Sequence, residues 1–169
     1  LVQVLEKEPD NNQALAYLTW VYIYSNRAEE GLADIKKRVA AFPEDLVKQD
    51  LQLRLMIASG KQNQAIQMAR ELLRKDEVNV ALMKTLAKAY VSLGKFRTAE
   101  YILKRANELK DPDVETLYMM AHIKRSSSKS KAAVVEAFRA VTEAQPDNAE
   151  AHNNLGLLYY ETRNFQAAV

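Results

Sequence analysis

PDNAEAHNNLGLLYYETRNFQAAV, residues 146–169, reads as one helix, a tight turn and the opening of a second helix. Its leading Pro-Asp-Asn stops one helix and offers caps for the next. The fold is decided by how this stretch relates to the rest of the chain. Small residues fall at Gly31, Ala65, Ala99 and Ala133, each 34 positions after the last, and Ala167 continues the series with Ala168 beside it. A second series, Thr19, Leu53, Ala87 and Ala121, has the same step of 34 and is followed by Gly156 one residue late. Pro9 and Pro43 stand 34 apart, and so do Pro112 and Pro146. Three series with one period define an internal repeat.

Composition agrees with a folded, helical chain. Of the 169 residues, 48% are apolar and 27% charged, which is not the balance of a disordered segment. Gly and Pro number only four each, too few turn-formers for a many-stranded β fold. Lys and Arg total 24 against 22 Asp and Glu, a net charge of +2, too balanced to mark a nucleic-acid partner by itself. The absence of Cys excludes disulfides and thiolate chemistry. No apolar run approaches membrane-spanning length, and a first residue that is Leu carries no targeting information. The compartment stays open.

A 34-residue period with small residues at fixed offsets resembles the tetratricopeptide repeat, whose pattern is W-x2-L-G-x2-Y…A-x3-F…P. The quoted stretch has His152 in the Trp slot, then Leu155, Gly156, Tyr159 and Ala168. The third repeat has Met83, Leu86, Ala87 and Tyr90, then Ala99, Leu103 and Pro112. The first has Leu15, Leu18, Thr19 and Tyr22, then Gly31, Ile35 and Pro43. The fourth has Leu117, Met120, Ala121, Ala133, Ala137 and Pro146, but Lys124 fills its Tyr slot. The second is degenerate: Gln49 and Gln52 replace apolar residues, while Leu53, Met56, Ala65 and Ala69 fit. The resemblance implies an all-α solenoid, a right-handed superhelix of helix pairs A and B with the A helices lining its concave face. It implies one array over 1–169: the end of a preceding helix B at 1–10, repeats at 12–45, 46–79, 80–113 and 114–148, and a partial repeat at 149–169.

The spacing has a physical reason. Helices A and B cross closely, so small residues such as Ala87 and Gly156 on A, and Ala99 and Ala133 on B, stand where backbones approach. Each proline ends a helix B, and the Asp or Asn after it caps the next helix A. Leu51, Leu53 and Leu55 alternate with polar residues as in a strand, but helical phase on both sides predicts a helix there. The chain opens and closes inside a repeat without a polar capping helix, leaving Val2, Val4, Leu5, Phe165 and Val169 without obvious partners. A longer solenoid, or half-repeats completed by a neighbour in an oligomer, would each supply them.

Chemistry is sparse. His122 and His152 are the two histidines, and neither has a second ligand at metal spacing. His152 reads as a packing residue and His122 as facing the groove. No glycine loop suits phosphate, and the carboxylates read as solvated helix faces. The expectation is a chain without catalytic residues, metal or cofactor. KRSSSKSK, residues 124–131, falls by phase at the turn of the fourth repeat, either a solvated connector or an anion-contact or phosphorylation site.

Helical phase places the concave face at Ala16, Tyr17, Trp20, Ile23 and Tyr24 in the first repeat, and at Asp50 and Arg54 in the second. The third offers Lys84, Lys88 and Val91; the fourth Tyr118, His122 and Arg125; the fifth Asn153, Asn154, Leu157 and Tyr160. This is an aromatic wall, a basic middle and a mixed aromatic–amide end. The carboxylate clamp of chaperone-binding tetratricopeptide domains is absent: Lys88, Met119, Glu150 and Asn154 stand where it needs Asn, Asn, Lys and Arg. The asparagine ladder of the sugar-transferase type fails at Tyr17, Leu51, Thr85 and Met119. The expected function is a protein-interaction scaffold whose groove holds a partner peptide or helix that is acidic and carries apolar anchors, with possible self-association through the open end repeats. RNA binding by a helical-repeat surface, or a domain of a larger enzyme, are the alternatives.

Overall fold

The computed structural model describes residues 2–163, which form ten helices and no strand. Contacts divide the chain into two compact units, residues 1–94 and 95–169. The N-terminal unit holds α1 (Val2–Lys7), α2 (Asn12–Tyr24), α3 (Ala28–Ala41), α4 (Leu46–Ala58), α5 (Gln62–Lys75) and α6 (Val80–Ser92). The C-terminal unit holds α7 (Phe96–Leu109), α8 (Val114–Ser127), α9 (Lys131–Ala144) and α10 (Ala149–Glu161). The boundary falls at a turn inside the third repeat, where the sequence shows no change of composition.

Starts and stops follow the polar residues. Asn11, Asp45, Asn79, Asp113 and Asn148 each accept a hydrogen bond from a backbone N–H in the first turn of α2, α4, α6, α8 and α10. Such a cap contributes about 1 kcal/mol. The turns after α2, α4, α6 and α10 pass through one left-handed residue: Asn26, Gly60, Gly94 and Arg163. At two of them the next N–H reaches back five residues, Arg27 to Tyr22 and Lys61 to Met56, both at 2.8 Å.

In the N-terminal unit α4 is the central element, packed by α2, α3, α5 and α6. That explains the strand-like alternation of its leucines. Leu51, Leu53 and Leu55 are all buried although they lie on different sides of the helix, because partners cover it on several sides. Gln49 fills the Trp slot by donating to the carbonyl of Pro43, and His152 does the same to Pro146 at 2.9 Å. The polar side chains at this slot therefore tie down the preceding proline turn. His152 is exposed, so it is an edge residue rather than a core one. Leu5 is buried on α1, which packs on α2, so this terminal apolar residue does have a partner; Val4 is exposed. Phe165, Ala167, Ala168 and Val169 lie outside the described residues.

The small-residue series is buried as expected at Thr19, Leu53, Ala87 and Ala121, and at Gly31, Ala65 and Ala99. Ala133 breaks it: its side chain is exposed and Val134 is buried instead. Helix α9 begins 35 residues after α7, whereas α5 and α7 each begin 34 after their predecessor. The extra residue lengthens α8 by one position, into the serine-rich stretch. There α8 continues to Ser127, the turn proper is residues 128–130, and Phe138 rather than Ala137 enters the core. That core joins Ala121, Val134, Phe138, Val141, Ala151 and Leu155. Lys124, anomalous in its Tyr slot, donates to Glu100 on α7 at 2.8 Å. In the neighbouring repeats the tyrosine hydroxyl instead accepts from an arginine on the preceding helix, Arg70 to Tyr90 and Arg139 to Tyr159.

Candidate functional site

In the N-terminal unit, α2, α4 and α6 pack side by side, α4 touching both of the others. Equivalent positions on the three helices therefore share a face. On α2 the residues 17, 20, 21 and 24 follow helical spacing and are all apolar or aromatic. All four are exposed: Tyr17 and Trp20 at 57%, Val21 at 37% and Tyr24 at 73%. Trp20 and Tyr24 stack with ring centroids 4.4 Å apart. Exposed aromatic surface gathered on one helix is uncommon on a face with no partner.

The repeat itself divides this stripe in two. Tyr17 and Val21 occupy positions that are buried in the second repeat at Leu51 and Leu55, and in the third at Thr85 and Ala89. Trp20 corresponds to Arg54 and Lys88, both half-exposed. Trp20 therefore belongs to the open face, and Tyr17 to a position that is covered in the second and third repeats but exposed in the first.

Arg54 does not stand alone on α4. Its Nε donates to Asp50 Oδ2 at 2.8 Å, and Thr85 Oγ1 on α6 donates to Asp50 Oδ1 at 2.5 Å. Asp50, expected on the groove surface, is buried and acts as the base that fixes Arg54 in place. Lys84 and Lys88, one turn apart on α6, are half-exposed beside them. Sequence reasoning missed the buried lysine of this unit. Lys48 is only 2% exposed, pairs with Asp45 at 2.5 Å and lies 4.9 Å from the Phe42 ring centroid. Burial pushes the Asp45 carboxyl up, but hydrogen bonds from Lys48 and Asn12 outweigh it and hold it below its ordinary value.

The C-terminal unit treats its predicted residues differently. His122 is half-buried and meets the Tyr118 and Phe138 rings edge-on, at 4.5 and 5.5 Å. It packs rather than presenting itself to a groove. Burial, then the charge of Arg125, lowers its pKa against a raising effect of Glu150. Its Nε2 is buried without a hydrogen-bond partner among the described residues. Tyr118 packs on the same core, and its hydroxyl has no well-formed hydrogen bond. Burial, then Glu150 nearby, pushes its pKa up to about 12. Asn154 is buried, whereas Asn153, Leu157 and Tyr160 are exposed. Arg125 Nη1 donates to Asn154 Oδ1, and Asn154 Nδ2 donates to the Glu150 carbonyl at 2.8 Å. Arg125, Asn154 and Leu157 line a pocket of about 240 Å³ together with Ser128, Lys129 and Lys131.

Among the described residues no group of three or more His, Cys, Asp or Glu is placed to hold a metal ion. None of their helices is long and apolar enough to cross a membrane.

Three solved structures show the same fold. TTC0263, a thermophilic tetratricopeptide-repeat protein of Thermus thermophilus, is 19% identical with a TM-score of 0.79, over 94% of this chain and 86% of that one. A tetratricopeptide repeat protein of Parabacteroides merdae is 15% identical with a TM-score of 0.80, over 92% of this chain and 60% of its own. YrrB, a tetratricopeptide-repeat protein described as having an unusual peptide-binding site, is 21% identical with a TM-score of 0.61, over 99% and 86%. No curated protein matches the sequence significantly. The family model that matches describes the N-terminal tetratricopeptide-repeat region of Psidin and covers residues 54–168. Helix order, burial of the small residues and this match agree: the chain is an all-α tetratricopeptide-repeat protein and belongs to the family of the Psidin N-terminal repeat region.

Proposed function

We propose that the chain is an interaction scaffold, holding an acidic segment of a partner protein against the α2–α4–α6 face of its N-terminal unit. The observation that carries this reading is the exposed, stacked Trp20–Tyr24 pair beside the fixed Arg54. Aromatic side chains at the middle of an interface supply most of its binding energy, and an arginine held in advance loses little freedom on binding. Arg54, Lys84 and Lys88 place three cationic side chains on this face, a chemistry suited to an acidic segment. The described peptide-binding site of YrrB is in keeping with such a role on this fold. Of the residues expected on the groove, Asp50, Tyr118, His122 and Asn154 are assigned to packing or positioning, and Tyr17 to an exposed surface beside the proposed contact. Trp20, Tyr24, Arg54, Lys84 and Lys88 form the proposed contact.

The test is capture of displayed peptides by the wild-type chain and by the double variant K84E with K88E. The expected result is enrichment of acidic peptides bearing one or two large apolar residues, lost in the variant while its melting temperature stays within about 2 °C. Equal capture by both proteins would remove this face from the account.

A further inference from the structure

The turn between α8 and α9 departs from the others in backbone conformation, and a pocket borders it. The turns after α2, α4 and α6 close through a left-handed residue, but Ser128 is extended, with φ −93° and ψ 139°. The inserted residue extends α8 to Ser127, so this connection is three residues long like the other three, and the pocket of about 240 Å³ lies beside it. Its polar wall is Arg125, Ser128, Lys129, Lys131 and Glu161; Val134, Leu157 and Leu158 form the apolar side.

We propose that this pocket binds a phosphomonoester group carried on a side chain of a partner peptide. Charge is the first argument. Three cations face one carboxylate, Glu161, which is already paired with Lys131 at 3.2 Å. The formal excess of +2 (3 − 1) matches a phosphomonoester, which carries about −1.5 to −2 near neutral pH. A carboxylate would neutralise only half of it. Pre-organisation is the second. Arg125 is anchored through one N–H on the buried Asn154, itself fixed by the Glu150 carbonyl. A guanidinium has five donors in a planar fork, so one anchoring bond leaves others to take phosphoryl oxygens in pairs. Ser128 Oγ accepts from Ser130 N–H, which leaves its hydroxyl proton to donate. The apolar wall is the third argument. Leu157 is 51% exposed at the pocket mouth, a surface for an apolar residue next to the phosphorylated one. A compact pocket with one apolar side fits a peptide better than the charged track a nucleic-acid strand requires.

The site lies wholly within the C-terminal unit and does not rest on the proposed α2–α4–α6 contact. The experiment is an amide chemical-shift titration of the full chain with acetyl-Leu-phosphoserine-Leu-amide, with the Ser and Glu versions of the same peptide, and with inorganic phosphate. Saturable shifts at Ser128, Lys129 and Asn154 are expected with the phosphopeptide. Binding at least tenfold weaker is expected for the Glu peptide, and none for the Ser peptide. R125Q should weaken the phosphopeptide at least tenfold. E161Q should tighten it several-fold by releasing Lys131, an effect that a merely structural role for Glu161 would not produce. K84E with K88E should leave it unchanged, which separates this site from the other face. Equal affinity for the Glu peptide, phosphate shifts scattered over other lysines, or an unaltered affinity in R125Q and E161Q would each overturn the proposal.

Discussion

Replacing Gly31 by alanine tests the packing of the first repeat with one methyl group. A Cβ built there lies 2.7 Å from Cγ and Cδ2 of Tyr22 and 2.8 Å from Leu55 Cδ2. Ordinary contact begins at 3.4 Å, so both neighbours must yield. Leu55 is only 1% exposed and has no open space to swing into. The Tyr22 ring is stiff and carries the Arg27 guanidinium 5.6 Å from its centroid. Overpacking of this kind costs about 1–3 kcal/mol. Against it stands the helix preference of Ala over Gly, about 1 kcal/mol. The difference is a net loss of about 1 kcal/mol, read by thermal unfolding as a melting temperature about 2–4 °C lower. Placing G31A in a Y22L background removes the rigid ring, and the alanine should then cost less or stabilise. A coupling of at least about 0.5 kcal/mol between the two positions is expected from a double-mutant cycle. G31A that raises the melting temperature by the full helix-preference gain would show that α3 does not meet Tyr22 and Leu55 this closely.

The remaining predictions concern register, pH and association. Ala99→Leu should destabilise by about 1–3 kcal/mol because Ala99 is fully buried, whereas Ala133→Leu should change stability by no more than about 0.5 kcal/mol; equal melts would contradict the one-residue shift at the serine turn. His122 is held below its ordinary value of 6.5, so the unfolded chain binds the proton first. Its contribution is present above about pH 6.5 and is lost as pH falls through the lowered folded value; denaturant unfolding between about pH 7 and 5 should be flatter for H122F than for wild type. Tyr17 and Val21 lie where later repeats are covered, so light scattering should detect concentration-dependent association that Y17E with V21E abolishes.

How much of this was legible in the sequence depends on what each residue answers to. The 34-residue step records backbone approach between neighbouring helices, a local demand that small residues meet best. Thr19, Leu53, Ala87 and Ala121 could therefore be placed from the repeat spacing alone. Ala133 failed because a fixed period assumes helices of constant length, whereas α8 is one residue longer than α2, α4 and α6; Gly156, one residue late in its series, was the available sign of the insertion. The exposed stripe at Tyr17, Trp20 and Tyr24 was readable from helical phase. Phase also put Asp50, Tyr118, His122 and Asn154 on the working face, but it cannot say which residues there are taken by neighbours. Thr85 for Asp50, Phe138 for His122 and Arg125 for Asn154 come from other helices. Lys48 was invisible for the same reason: its partners Asp45 and Asn12 and its burial arise from the meeting of two inter-repeat turns.

Trp20 is the single tryptophan of the chain and stands, 57% exposed, on the face assigned to the partner. Its fluorescence therefore reads the central claim without a label. An acidic peptide with large apolar residues, selected by the wild-type protein, should shift Trp20 emission to shorter wavelength and shield it from acrylamide quenching. The effect should saturate, weaken as salt rises, and fail in K84E with K88E. Peptide binding that leaves Trp20 emission and quenching unchanged would contradict the account.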